Sequence, residues 1–246
     1  MQTAFIRRSA QWIAAGAGIA ASAYAAYAAV TWLRYGKPPK ASPDEADELL
    51  DRFMPDYDVV ERHHTRVKAP AAITLAAAKE VDVLKGAIAR ALFTARALAL
   101  GGAVDNRELP KPLMEQMQAI GWTVLAEVPG NEIVFGAVTR PWEAEPVFRG
   151  VAPSEFAAFN EPDYVKIVWT LRADPLAEDA SMFRTETRAY ATDPQTRTKF
   201  RGYWALASPG VALIRRMLVG PVKCEAERNA RKAELAEPAA EFRALV

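Results

Sequence analysis

The chain has a single cysteine, Cys224, among its 246 residues. A lone thiol excludes an intrachain disulfide and any zinc cluster built from several thiolates at short spacing. Histidine is nearly as scarce. His63 and His64 are the only two, and they are adjacent. In a strand, neighbours point to opposite faces, so these two cannot share a metal. Neither a metal nor another cofactor is expected. An excess of one charge is also missing, since 31 basic residues face 30 acids for a net charge of +1. Without a basic excess or a recognised motif, nucleic-acid binding is not expected. The chain lacks an Asn-X-Ser/Thr acceptor, a Gly-X-Ser-X-Gly elbow and a His-Glu-X-X-His helix. The signatures of the common enzyme classes are therefore unrepresented, and no catalytic residue is assigned.

What the chain does have is apolar material, with 51% hydrophobic and 25% charged residues. That proportion can fill a sizeable core. Residues 11–33, QWIAAGAGIAASAYAAYAAVTWL, carry no charge. As a helix this run spans roughly 30 Å, the hydrocarbon thickness of a bilayer. Trp12 and Trp32 sit near its ends, where aromatic rings favour the headgroup boundary, and Arg7, Arg8, Arg34, Lys37 and Lys40 flank it. Three readings compete: a membrane anchor, a signal peptide cut near Ala23 or Ala25, and an uncharged helix buried in the body. The apolar stretch continues through Val30, Trp32 and Leu33 beyond any such cut, which favours a single-pass anchor with the membrane as partner. Ala14, Gly18, Ser22 and Ala26 recur every four residues and would permit a homodimer through this helix. The basic flanks are too even to fix orientation, while a lone thiol fits a reducing, cytoplasmic side. Gly16-Ala-Gly18-Ile-Ala-Ala21 imitates a dinucleotide-binding pattern, but it lies inside an unbroken apolar run with no preceding strand.

Past the anchor (residues 1–34), residues 35–56 are rich in proline and acids and read as a linker. Within it, Ser42-Pro43 followed by acids has the chemistry of a short helix start. Residues 57–235 read as one folded domain and 236–246 as a tail. Residues 58–67 are β-branched-rich and read as a strand. Helical spacing follows over 72–79, 82–100 and 112–120, with Gly101-Gly102 as a stop. Strands are expected at 122–128 and 132–139 around Pro129-Gly130-Asn131, then at 164–172 and 182–192, with Asp174-Pro175 opening the turn between them. From Asp193 onward the pattern is helical, with a kink or break at Ser208-Pro209-Gly210. The class is α+β: a curved antiparallel sheet packed on a long C-terminal helix.

This order resembles the SRPBCC superfamily, the START-like and polyketide-cyclase-like helix-grip domains, over residues 57–230. The likeness rests on the early strand ending Val67-Lys68-Ala69-Pro70, the hairpin at Pro129-Gly130, the strand segment Thr185-Glu186-Thr187-Arg188, and the closing helix with Phe200 and Tyr203-Trp204. The resemblance implies a cavity between sheet and helix that binds a hydrophobic or lipid-like small molecule. It also admits a cyclase- or hydrolase-like enzyme, or an interaction module with a filled core. Trp122, Phe135, Trp142, Trp169, Phe183 and Trp204 are the aromatic candidates for a cavity lining, or alternatively for core. Glu127 and Glu186 are the carboxylates a cavity would use as acid or base, although Glu186 between Arg184 and Arg188 reads more simply as salt-bridged on a wet face. Gly136 inside a strand marks a bulge, a close approach or room for a ligand.

Overall fold

The computed structural model describes residues 2–82, 87–103, 110 and 112–244. Helix α1 (Gln2–Arg34) carries the whole uncharged run, and a 3-10 turn at Pro43–Glu45 precedes the short α2 (Glu48–Asp51). The body then runs β1 (Val59–Val67), α3 (Ala71–Glu80), α4 (Ala87–Ala99), α5 (Leu113–Ala119), β2 (Thr123–Val128) and β3 (Glu132–Thr139). It closes with α6 (Pro153–Phe156), β4 (Val165–Ala177), β5 (Ala180–Ala191) and the 51-residue α7 (Pro194–Ala244). The five strands form one antiparallel sheet in the order β1-β5-β4-β3-β2.

Local chemistry accounts for most boundaries. Ser42 caps the 3-10 turn, its backbone N–H donating to the Glu45 carboxylate at 3.0 Å. Asp47 caps α2 by accepting from the Leu50 N–H at 2.8 Å. Gly101 adopts φ +76° while the Gly102 N–H returns to the Ala97 carbonyl at 2.8 Å, which ends α4. The start of the helix expected from Asp82, including Val83 and Leu84, lies outside the described residues.

Two local expectations are corrected by the structure. Strand β4 does not turn at Asp174-Pro175 but continues to Ala177, with a register shift between Pro175 and Ala177. A bulge tolerates proline because no ladder N–H is needed there. Helix α7 does not break at Ser208-Pro209-Gly210. Packing on several sides outweighs the lost hydrogen bond of one proline. Ser208 is buried and within 3.2 Å of the Tyr27 hydroxyl, and a Cβ on Gly210 would lie 3.8 Å from Leu92.

The sheet buries both faces. On one, α7 lays Leu218, Val222, Ala226 and Ala230 against Ile133, Phe135, Trp169, Leu171 and Phe183, with α3 and α5 beside them. On the other, Leu50 and Met54 join Leu125, Val134, Phe156 and Val168. Part of the segment read as a linker is thus built into the body. Apolar side chains four residues apart on a capped turn cover sheet surface that proline and acid content alone does not reveal. A Cβ on Gly136 would come within 2.8 Å of both Leu125 and Phe156. That glycine therefore serves a close approach on the outer face and leaves no ligand space.

Helix α1 leans on the first half of α7. Tyr24 donates to the Leu206 carbonyl, and Arg201 Nε donates to the Trp32 carbonyl at 2.9 Å. Among the described residues, one helix is long and apolar enough to cross a membrane, Pro194–Ala236 of α7. Only 22% of its most apolar window is buried, and Leu206 and Leu213 stand exposed there. Since its inner side packs on the sheet, length and hydropathy do not by themselves make it a span.

Candidate functional site

The period-2 alternation of the strands places Glu61 and His63 of β1 on the same side as Thr185 and Thr187 of β5, beneath α7. Trp169 of β4 pairs directly with Thr187, and its indole Nε1 donates to the Thr185 hydroxyl at 2.7 Å. From above, α7 lowers Arg215 until its guanidinium carbon lies 4.0 Å from the Trp169 ring centre. That is a cation stacked on the most electron-rich ring type available. Among the described residues, Arg215 donates no hydrogen bond.

The face beneath α7 holds unspent polar atoms: among the described residues, His63 Nε2 and Thr187 Oγ1 are buried without a hydrogen-bond partner, as are Trp122 Nε1 and Thr139 Oγ1 on the same face. A buried polar atom left unpaired costs about 1–3 kcal/mol, so several on one face mark a place where another polar partner would be stabilising. His63 Nε2 lies 3.8 Å from the nearer Glu61 oxygen, too far for a hydrogen bond. Burial pushes the Glu61 carboxyl above its usual range, with Arg215 opposing. Burial, then the Arg216 and Arg215 charges, hold His63 below its ordinary value. Burial pulls Arg215 down to about 10, which leaves it cationic at neutral pH. This face therefore joins a fixed cation, a neutral imidazole and a weakened acid beside an aromatic cluster.

The expected lining residues divide into several groups. Trp122, Phe135, Trp169 and Phe183 lie together on the face beneath α7, each no more than 6% exposed. Phe135 stacks on Trp169 at 5.6 Å, and Trp122 meets Trp169 edge-on at 6.4 Å. Trp142 and Trp204 belong to a separate cluster around Phe200, Val59 and Val165. Glu127 pairs with Lys79 near the end of β2, away from Arg215 and His63.

Glu186 points to the opposite face. It accepts from Arg62 Nε at 2.8 Å and from Arg188 Nε at 2.6 Å. The salt bridge expected from its neighbours is present, though Arg62 rather than Arg184 joins Arg188 in it. The face is buried rather than wet, since Glu186 is 6% exposed. Tyr57, Met54 and Asp51 close over Arg188, so the chain before β1 supplies the roof. The hollow remaining there has a volume of about 20 Å3 between Asp47, Arg62, Arg172 and Glu186. That is room for about one water.

The chain matches no protein-family model and no curated protein. Solved structures do resemble it. One is a structural-genomics protein from Chromobacterium violaceum, at 13% identity over 64% of this chain and 96% of that one, TM-score 0.24. Another is a protein from Thermus thermophilus, at 11% identity over 71% and 98%, TM-score 0.26. A third is the Zhui aromatase/cyclase from Streptomyces sp. R1128, at 14% identity over 71% and 96%, TM-score 0.24. The resemblance is one of fold. At these scores it says nothing about ligand or reaction.

Sequence reasoning missed Glu61 and Arg215. The signal for Arg215 was present: it follows Val211 by four residues and precedes Leu218 by three, which puts a charge on the apolar stripe of a helix. Glu61 shares its strand face with Val59 and Val67, both buried. A charge in register with core residues is the exception that carries information.

Proposed function

We propose that this chain is a membrane-tethered binding protein whose body holds a small amphipathic molecule beneath α7, with an acid group of the ligand on Arg215. The observation that carries the reading is the Arg215 guanidinium, held over Trp169 and donating no hydrogen bond among the described residues. A planar fork of donors that is half-buried and unspent suits a carboxylate or similar oxyanion. Thr187 Oγ1 and His63 Nε2 would meet further polar atoms of the ligand, while its apolar part lies along Trp169 and Ile167. The tether rests on the uncharged run of residues 11–33.

The test is calorimetric titration of the full chain in mild detergent with a panel of fatty and aromatic carboxylic acids and their methyl esters. At least one acid is expected to bind saturably, its ester at least tenfold more weakly, and Arg215→Gln should erase the difference. Saturable binding of no acid, or equal binding by wild type and variant, would sink the reading.

A second reading, catalysis, is favoured by one observation: Glu61 is a carboxyl raised by burial beside a neutral imidazole. Glu61→Gln would then abolish turnover of the bound molecule without loss of binding. Equal turnover in wild type and variant would remove this option.

A further inference from the structure

At the other end of the body, where α1 finishes, lies a cleft of about 360 Å3 lined by Tyr35, Gly36, Lys37, Pro194, Arg197, Thr198 and Arg201. We infer that this cleft is a phosphate site for the headgroup of an anionic lipid. It is distinct from the polar groups beneath α7 and shares no residue with them.

Charge is the first argument. Three cations line the cleft, and among the described residues no acid does. Arg197 is already committed: it donates through Nε at 2.8 Å to Asp58, whose side chain is fully buried. Asp58 also accepts from the Ala191 N–H at 2.9 Å and from the Tyr35 hydroxyl at 3.2 Å. That acid is therefore balanced by Arg197 and leaves Lys37 and Arg201 as net positive charge. Arg201 uses Nε on the Trp32 carbonyl at 2.9 Å and stacks on the Trp32 ring at 4.5 Å. Its terminal nitrogens and the Lys37 amine donate no hydrogen bond among the described residues. Two unspent cations flanking one cleft match the doubly ionised oxygens of a phosphate monoester.

Position is the second argument, and it selects the lipid over free phosphate. The uncharged run of α1 ends at Leu33, immediately before this cleft. On that side Val30, Trp32 and Leu33 are 47%, 40% and 68% exposed. Apolar side chains thus give way to cations within about one helical turn, the gradient met at the headgroup level of a bilayer. The positive end of α7 is already capped, since Asp193 accepts from the Gln195 and Thr196 N–H groups at 2.9 Å.

The placement of the phosphate at membrane level rests on the tether; the cation pair does not. A soluble probe separates the two. The full chain in mild detergent is titrated with dihexanoyl phosphatidic acid, dihexanoyl phosphatidylcholine and inorganic phosphate. Saturable binding of the phosphatidic acid is expected, at least tenfold tighter than either of the others and weakening as salt is raised. Lys37→Glu, a change at an exposed side chain, should weaken it at least tenfold, and Lys37→Gln combined with Arg201→Gln should abolish it. Absence of saturable phosphatidic acid binding, or unchanged affinity in Lys37→Glu, overturns the site. Inorganic phosphate binding as tightly as the lipid overturns the assignment to a headgroup. Neither outcome touches the ligand beneath α7, whose test uses different residues.

Discussion

Replacing Glu132 by Gln should remove a pH dependence of stability that a single buried carboxyl imposes. Glu132 opens β3 on the outer face of the sheet, is 4% exposed, and accepts from the Thr170 hydroxyl at 2.8 Å. Burial, followed by a hydrogen bond and repulsion from Asp47, pushes its carboxyl up to about 8, while Thr170 and the Arg172 charge oppose. The folded chain therefore keeps a proton that the unfolded chain releases near pH 4.5. A raised acid contributes stability that is complete below the unfolded value and is lost as pH climbs through the folded one. His63 acts in the opposite sense. Its depressed value means stability is lost as pH falls below the unfolded value of 6.5. Between pH 6.5 and 8 Glu132 carries the loss that the variant removes, while Glu61, raised in the same sense, is common to wild type and variant. There the linkage slope of about 1.4 kcal/mol per pH unit, flattening near the top, predicts a loss of about 2 kcal/mol from Glu132. Urea unfolding of the full chain in detergent, followed by tryptophan fluorescence at several pH values, measures it. Glu132→Gln preserves a hydrogen-bonding amide but cannot ionise, so its profile should fall less steeply than the wild type's across that window. A wild-type profile that is flat or rising, or a variant that falls as steeply as wild type, refutes the reasoning.

Two further outcomes follow from the geometry. Arg188→Met removes a guanidinium, 2% exposed, that serves Glu186, Asp51 and the Met54 carbonyl; it leaves that carbonyl unpaired and Glu186 with Arg62 alone. A loss of about 2–4 kcal/mol in the same urea assay is expected, and a loss below 1 kcal/mol would show that the roof before β1 does not depend on this cation. The tether predicts that the full chain stays with the membrane pellet after alkaline carbonate washing, whereas a chain lacking residues 1–34 leaves it. Release of the full chain into the wash would remove the anchor from the reading.

The uncharged run, the strand-rich middle and the long terminal helix were legible because each depends on local spacing or composition. β-branched composition located β1, the Pro129-Gly130-Asn131 turn located β3 and period-2 alternation located β5, each to within two residues, and Gly101-Gly102 ended α4 where its chemistry requires. Of the six aromatic residues named for a lining or for core, Trp122, Phe135, Trp169 and Phe183 lie together in the core beneath α7. Strand alternation fixes which face a residue takes, but not how far along that face it sits. Trp142, in the loop after β3, and Trp204, on α7, lie outside the strands altogether and belong to a different cluster.

What only the tertiary structure decided were the long-range pairings. Glu186 is bridged by Arg62, 124 positions away in sequence. Its burial comes from a segment whose prolines and acids resemble a solvated spacer until Leu50 and Met54 meet the sheet. Arg215 looks like one more surface cation on a mixed helix until α7 sets it over Trp169. Continuity through Pro209 likewise required neighbours on both sides of the helix. Sequence spacing determines elements and their faces because those are properties of a few adjacent residues. The depth, charge and free hydrogen-bonding capacity of a site arise from residues far apart in the chain, and only folding brings them within a few ångströms.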